Sequence, residues 1–201
     1  MSALIEPVDL EAGAVFLSAP TATALYEKYV HVRSTIATAR RTGSGRTSDT
    51  QAGLTGCRTF FENIVVDRIH SAKRLGLKIG VASSSRHEWV DTHLTRLGLI
   101  DYFDSIKCFD DVKRTKPDPE LYLAVLDALG VHGQQAIALE DSPNGVIAAQ
   151  QAGIFCVAVP NPVTSQLSLL HADLCLSSLT EVSLEQLLAK VRGTVKHEHI
   201  H

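Results

Sequence analysis

Apolar positions are unevenly ordered along the chain. Before Cys57 they keep no sustained period, and residues 38–51 (TARRTGSGRTSDTQ) are polar and rich in Gly, Ser and Thr, as loops and linkers are. Residues 14–17 form one short apolar run there, and 22–40 a candidate helix with a weak apolar face. From Phe60 onward the pattern sharpens. Phe61, Ile64, Val65, Ile69 and Ala72 recur at helical spacing and predict a helix over 60–75. The apolar run 77–82 predicts a buried strand. Residues 85–97 predict a second helix, opened by a capping box in which Ser85 and Glu88 satisfy free backbone N–H groups, and ended by Gly98. A short strand at 105–109 follows. Asp118 is placed to cap the next helix, with Pro119 at its first position and Gly130 past its end. Residues 136–139 predict a strand, Ser142 and Pro143 start a helix that Gly153 closes, and 154–159 form another apolar strand. A last strand at 173–176 and a last helix at 183–191 complete the pattern.

Strands therefore alternate with helices, which argues for βαβ units. The expected fold is α/β: a doubly wound, Rossmann-like parallel sheet with helices on both faces. The expected organisation is a poorly patterned segment over 1–57, an α/β core over 58–192 and a frayed tail over 193–201. In such sheets ligands sit beyond the carboxyl ends of the strands, so the polar residues at those ends are the candidates for chemistry.

Composition narrows the picture without redirecting it. The chain has 201 residues, 45% of them hydrophobic, and a formal net charge of -3. That is a globular profile with no basic excess for nucleic acid or an acidic membrane surface. No apolar run approaches the roughly 20 residues of a membrane helix, and residues 1–10 lack a signal-peptide layout. The four cysteines, Cys57, Cys108, Cys156 and Cys175, are scattered without a C-x-x-C pair. They read as reduced, mostly buried thiols of a cytoplasmic protein, with a zinc site as the sharper alternative. The histidines of the tail, His197, His199 and His201, read as a solvated end.

Three strand ends carry candidate chemistry. Ser83, Ser84 and Ser85 follow the first predicted core strand, where a hydroxyl beside a helix N-terminus can donate to a phosphate oxygen. Arg114-Thr115-Lys116-Pro117-Asp118-Pro119 holds Lys116 in a loop stiffened by two prolines, a fixed positive charge. Glu140 and Asp141 stand together at a later strand end, just before a helix, as a carboxylate pair suited to a hard cation such as Mg²⁺. Each is unremarkable alone, as a capping serine, a solvated lysine or a capping aspartate. Together, at successive strand ends, they form a set that serves phosphoryl transfer. A receiver-type signalling domain places its acidic pair first and its lysine last, the reverse of this order. A dinucleotide-binding domain calls for G-x-G-x-x-G after a strand, which is absent.

GVASSSRHEWV, KPDPELYL and ALEDSPNGVIAAQQAG resemble the second, third and fourth motifs of the haloacid dehalogenase superfamily, nearest its β-phosphoglucomutase-like phosphatase branch. The resemblance covers roughly the last two-thirds of the chain. It implies Mg²⁺-dependent hydrolysis of a small sugar-phosphate monoester. Ser83 would bind the transferring phosphoryl group, Lys116 would pair with that phosphate and the nucleophile, and Asp141 with Glu140 would ligate Mg²⁺. Ser85 and Arg86 would grip a second phosphate on the substrate. Rival readings are a sugar-phosphate mutase and a non-catalytic phosphate- and metal-binding pseudoenzyme.

The resemblance is incomplete at one point. The family attacks phosphate with an aspartate from a strand-D-x-D-G-T motif near the N-terminus. Here the nearest stretch is Val8-Asp9-Leu10-Glu11-Ala12-Gly13, which makes Asp9 the candidate nucleophile and Glu11 the acid/base but puts Pro7 in a central strand. A second register takes 14–17 as the strand and leaves Ser18 where the nucleophile belongs. Asp49 falls in the linker and Asp67 inside a helix. The helical cap expected between the first motif and the Ser83 strand is reduced or missing. Three explanations stand: truncation or a frameshift upstream, so that 1 to about 57 is not family sequence; a pseudoenzyme; or a nonstandard nucleophile at Asp9. An empty first-motif slot would expose the backbone edges of both neighbouring strands.

Overall fold

The computed structural model describes the strand at 14–18, residues 66–160, single positions between 161 and 170, and residues 171–197. Asp9, the 38–51 linker, the candidate helix at 22–40, Cys57 and residues 198–201 lie outside the described residues. Six strands are described: β1 (Ala14–Ser18), β2 (Lys78–Ala82), β3 (Ser105–Lys107), β4 (Ala136–Glu140), β5 (Phe155–Ala158) and β6 (Leu174–Cys175). Helical residues 66–74 form α1, followed by α2 (His87–Leu97), α3 (Glu120–Leu129), α4 (Pro143–Gln151) and α5 (Leu184–His197). The strands make one sheet in the order β3-β2-β1-β4-β5-β6, and every neighbouring pair is parallel. The chain is a doubly wound α/β protein.

The central slot is filled. β1 pairs with β2 on one side (Ser18 opposite Ala82) and with β4 on the other (Leu17 opposite Leu139). Of the two registers open to the N-terminal segment, the structure shows the one in which Ala14–Ser18 is the strand. The division near residue 57 therefore does not separate the sheet from what precedes it. Without β1, β2 and β4 would leave their ladder groups unpaired in the middle of the sheet.

Alternation along β4 explains the two layers. Ile137 and Leu139 enter a core with α1 (Ile69, Ala72), α2 (Val90, Leu94) and α5 (Leu184, Leu187, Val191). Ala136 and Ala138 enter the other core, with α3 (Leu121, Tyr122, Val125) and α4 (Val146, Ala149). Both faces are covered, so the strands read as continuous apolar runs rather than alternating ones. Glu140 follows the parity of Ala136 and Ala138, which aims it at α3 and α4.

Local corrections are small and have clear causes. α2 starts at His87, with Arg86 as N-cap and no side-chain cap from Ser85 or Glu88. The first-turn donor is met instead from outside the helix, by Asp110 Oδ2, which accepts the His87 N–H at 2.8 Å. Asp118 does cap α3, accepting the Glu120 N–H at 3.0 Å, but Pro119 is the N-cap rather than the first helical residue. Ser142 caps α4 by accepting the Gly145 N–H at 3.1 Å, with Pro143 at the first position. The strand after α4 is shorter than its apolar run, and α5 continues to His197, beyond 191. Among the described residues no helix is long and apolar enough to cross a membrane.

Candidate active site

The carboxyl ends of β2, β1 and β4 lie side by side, and each supplies or adjoins a candidate residue. Ser83 follows β2 and is fully buried. Its N–H donates to the Lys107 carbonyl at 2.8 Å, and its Oγ accepts the Ser85 N–H at 3.0 Å. Ser85 in turn accepts the Phe109 N–H at 2.9 Å through its carbonyl. The serine turn is thus tied to the loop after β3, and its hydroxyl is set by backbone rather than by solvent.

Lys116 and Glu140 meet directly. The Lys116 ammonium pairs with Glu140 Oε1, and the two side chains are 5% and 0% exposed. Tyr122, from α3, donates its hydroxyl to the same oxygen. Ser142 Oγ lies 3.4 Å from the other, Oε2. Lys116 also lies 3.5 Å from the Tyr122 hydroxyl and 4.9 Å from the centre of its ring. Burial first, then the Glu140 charge, pushes the Tyr122 phenol well above its usual value, so it stays a donor. The peptide bond between Lys116 and Pro117 is cis. The loop that presents Lys116 is stapled by Glu120, whose two carboxylate oxygens accept the Lys113 and Arg114 N–H groups at 3.0 Å each, and by an Arg114–Asp118 pair at 3.1 Å.

Close packing makes room for Glu140. A Cβ built on Gly145 would stand 1.9 Å from Glu140 Oε2, so only glycine in the first turn of α4 allows the carboxylate to lie there. Asp141, 1% exposed, is the next residue. Two adjacent buried carboxylates at a strand end, their donor atoms all oxygen, fit a hard divalent cation such as Mg²⁺.

The structure thus brings Lys116, Glu140 and Asp141 together, with Ser83 at the end of a strand two places away. Arg86 stands at the rim, its side chain 68% exposed, paired with Asp110 at 2.9 Å and 5.0 Å from the centre of the Phe109 ring. At the end of the central strand, level with Ala82 and one residue past the Leu17–Leu139 pair, is Ser18. Sequence reasoning missed Tyr122 and Gly145, and read Ser142 only as a helix start, not as a neighbour of Glu140. A tyrosine on an apolar helix face was the one available signal, since a buried phenol takes a hydrogen-bond partner.

The model of the haloacid dehalogenase-like hydrolases matches residues 53–159. The chain belongs to that family. YhcW of Bacillus subtilis is 50% identical over 120 residues, 60% of this chain and 54% of that protein. Hexitol phosphatase B of Escherichia coli is 36% identical over 125 residues, 62% of this chain and 56% of that enzyme. The chain spans about half the length of these relatives. The crystal structure of β-phosphoglucomutase from Clostridium difficile superposes with a TM-score of 0.64, covering 92% of this chain and 99% of the other at 19% identity. The two chains share one fold.

Proposed function

We propose that this chain carries the phosphate and metal site of a hydrolase for small sugar-phosphate monoesters. The observation that carries the reading is the buried Lys116–Glu140 pair beside Asp141 at the carboxyl end of the sheet. A fixed ammonium in a water-poor site is worth far more to a phosphoryl oxygen than one in solvent. Glu140 and Tyr122 keep that ammonium in place. Ser83 would donate its hydroxyl to a second phosphoryl oxygen, and Ser85 and Arg86 would hold the rest of the substrate at the rim. Asp141, with Glu140, would hold Mg²⁺, which when bound neutralises charge on the phosphoryl oxygens. The name of hexitol phosphatase B supports a phosphorylated polyol or sugar as substrate class.

Ser18 at the end of β1 favours a second reading: binding of phosphate and Mg²⁺ without turnover. A serine hydroxyl there cannot supply the carboxylate that the family uses as nucleophile. Asp9, the sequence's candidate for that role, precedes β1 instead of following a strand in the register seen, and lies outside the described residues. Calorimetric titration of the full chain with inorganic phosphate, with and without Mg²⁺, paired with turnover of an aryl phosphate, separates the readings. Phosphate binding that needs Mg²⁺ and fails in Asp141→Ala is expected. Turnover that fails in Asp9→Asn assigns Asp9 as nucleophile, whereas binding without turnover assigns the second reading. No Mg²⁺-dependent phosphate binding by the folded chain refutes both.

A further inference from the structure

A second cluster of metal-ligating side chains lies away from Lys116 and Glu140, where the start of α2 meets the loop after β3. One ligand atom each from His87, Cys108 and Asp111 falls within 4.8 Å of the other two. Cys108 is fully buried, and the side chains of His87 and Asp111 are 35% and 26% exposed, so the cluster has a thiol at its floor and an open mouth.

The His87 ring is held at both nitrogens. Nδ1 faces Asp91 Oδ2, one helical turn along α2, at 3.2 Å. Nε2 faces Asp111 Oδ2 at 2.7 Å. Its backbone is fixed as well, because Asp110 Oδ2 accepts the His87 N–H at 2.8 Å. A carboxylate on one ring nitrogen is how metal-binding histidines are oriented: it fixes the tautomer and raises the basicity of the other nitrogen. Here that other nitrogen donates to the second carboxylate, and the thiol lies within 4.8 Å. Asp111 is anchored too, accepting the Cys108 N–H at 2.7 Å.

The donor set selects the ion. One imidazole nitrogen, one sulfur and one carboxylate oxygen suit zinc, while Mg²⁺ and Ca²⁺ take oxygen donors. Ligands about 2.0–2.3 Å from a tetrahedral zinc lie roughly 3.3–3.7 Å from one another. For a shared ion the widest separation, at most 4.8 Å, has to close by about 1 Å and the 2.7 Å Nε2–Asp111 contact has to open.

We propose that His87 Nε2, the Cys108 thiolate and an Asp111 carboxylate oxygen form a zinc site, with Asp91 orienting the imidazole and water in the fourth position. Uptake releases two protons to solvent, the one that Nε2 donates to Asp111 and the thiol proton of Cys108, so that His87 binds as neutral imidazole with Nδ1 still donating to Asp91. The ion ties the turn bearing Ser83, Ser85 and Arg86 to the loop after β3, a staple separate from the carboxylate pair at the end of β4.

Cobalt is the probe, because a thiolate bound to Co²⁺ gives a near-ultraviolet charge-transfer band that oxygen and imidazole ligands do not. The reduced full chain is titrated with Co²⁺ in excess Mg²⁺, which competes for the oxygen-rich pair Glu140 and Asp141. One equivalent with a thiolate band, displaced by Zn²⁺, is expected. The band is lost in Cys108→Ser and in His87→Gln, survives in Cys175→Ser, and in Asp91→Asn needs about tenfold more metal or beyond. His87→Gln keeps the buried thiol, so it remains informative if Cys108→Ser fails to fold. A folded chain that shows no thiolate band, or a band that persists in His87→Gln, overturns the proposal.

Discussion

Replacing Lys116 with Met tests the ion pair at the centre of the site. Methionine keeps most of the stem length and removes the ammonium. Glu140, at 0% exposure, is then left with Tyr122 and Ser142 as neutral partners and no cation. Breaking a buried pair from one side costs about 3–5 kcal/mol, because the remaining charge is desolvated without compensation. For a chain of this size that corresponds to a fall in melting temperature of roughly 6–20 °C. Removing both charges, in Lys116→Met with Glu140→Gln, leaves an amide that can still accept from Tyr122. Most of the loss is then recovered. Urea unfolding followed by circular dichroism gives the free energies, and the four proteins close a double-mutant cycle. The reasoning fails if Lys116→Met costs under about 1 kcal/mol, or if the double variant is as unstable as the two single losses added together.

Two further outcomes follow from other parts of the fold. Gly145→Ala would gain about 1 kcal/mol from helix propensity alone, but its Cβ would sit 1.9 Å from Glu140 Oε2; overpacking of about 1–3 kcal/mol wins, and a raised urea midpoint would contradict that. Burial would raise the Asp104 carboxyl, yet hydrogen bonds from Lys73 (2.7 Å) and the Ile79 N–H (2.7 Å) outweigh it and hold the group below its ordinary value. A depressed carboxylate stabilises the fold above its unfolded value of about 3.9 and loses that contribution as pH falls through the folded value. The stability gap between the wild type and Asp104→Asn is therefore full at neutral pH and closes below about pH 4; a gap that does not change with pH refutes the assignment.

Most of the fold from Lys78 onward was legible, because both faces of the sheet are buried and its central strands are short apolar runs bounded by glycine, serine or proline. β1 was legible only as an alternative. AVFLS carries no turn signal or chemical motif of its own, and a short apolar run cannot be assigned by periodicity alone. What identifies it is the pairing with β2 and β4, from residues more than sixty positions away. Distance also hid the cap of α2. Ser85 and Glu88 have the right spacing, but Asp110 sits nearer to the first free N–H once β3 lies beside β2.

The candidate site divides along the same line. Ser83, Lys116, Glu140 and Asp141 could be found because strand ends are where a parallel sheet presents polar groups. The supports of Lys116 could not, since Tyr122 and Gly145 look like an ordinary helix residue and an ordinary helix blemish. Their meaning appears only through Glu140. Its parity on β4 aims the carboxylate between α3 and α4, Gly145 vacates the space it occupies, and Tyr122 donates to the oxygen that also holds Lys116. The buried carboxylate therefore couples the lysine loop to the packing of two helices. Changes at Gly145 should act on Glu140 directly and through it on Lys116, and hence on phosphate affinity.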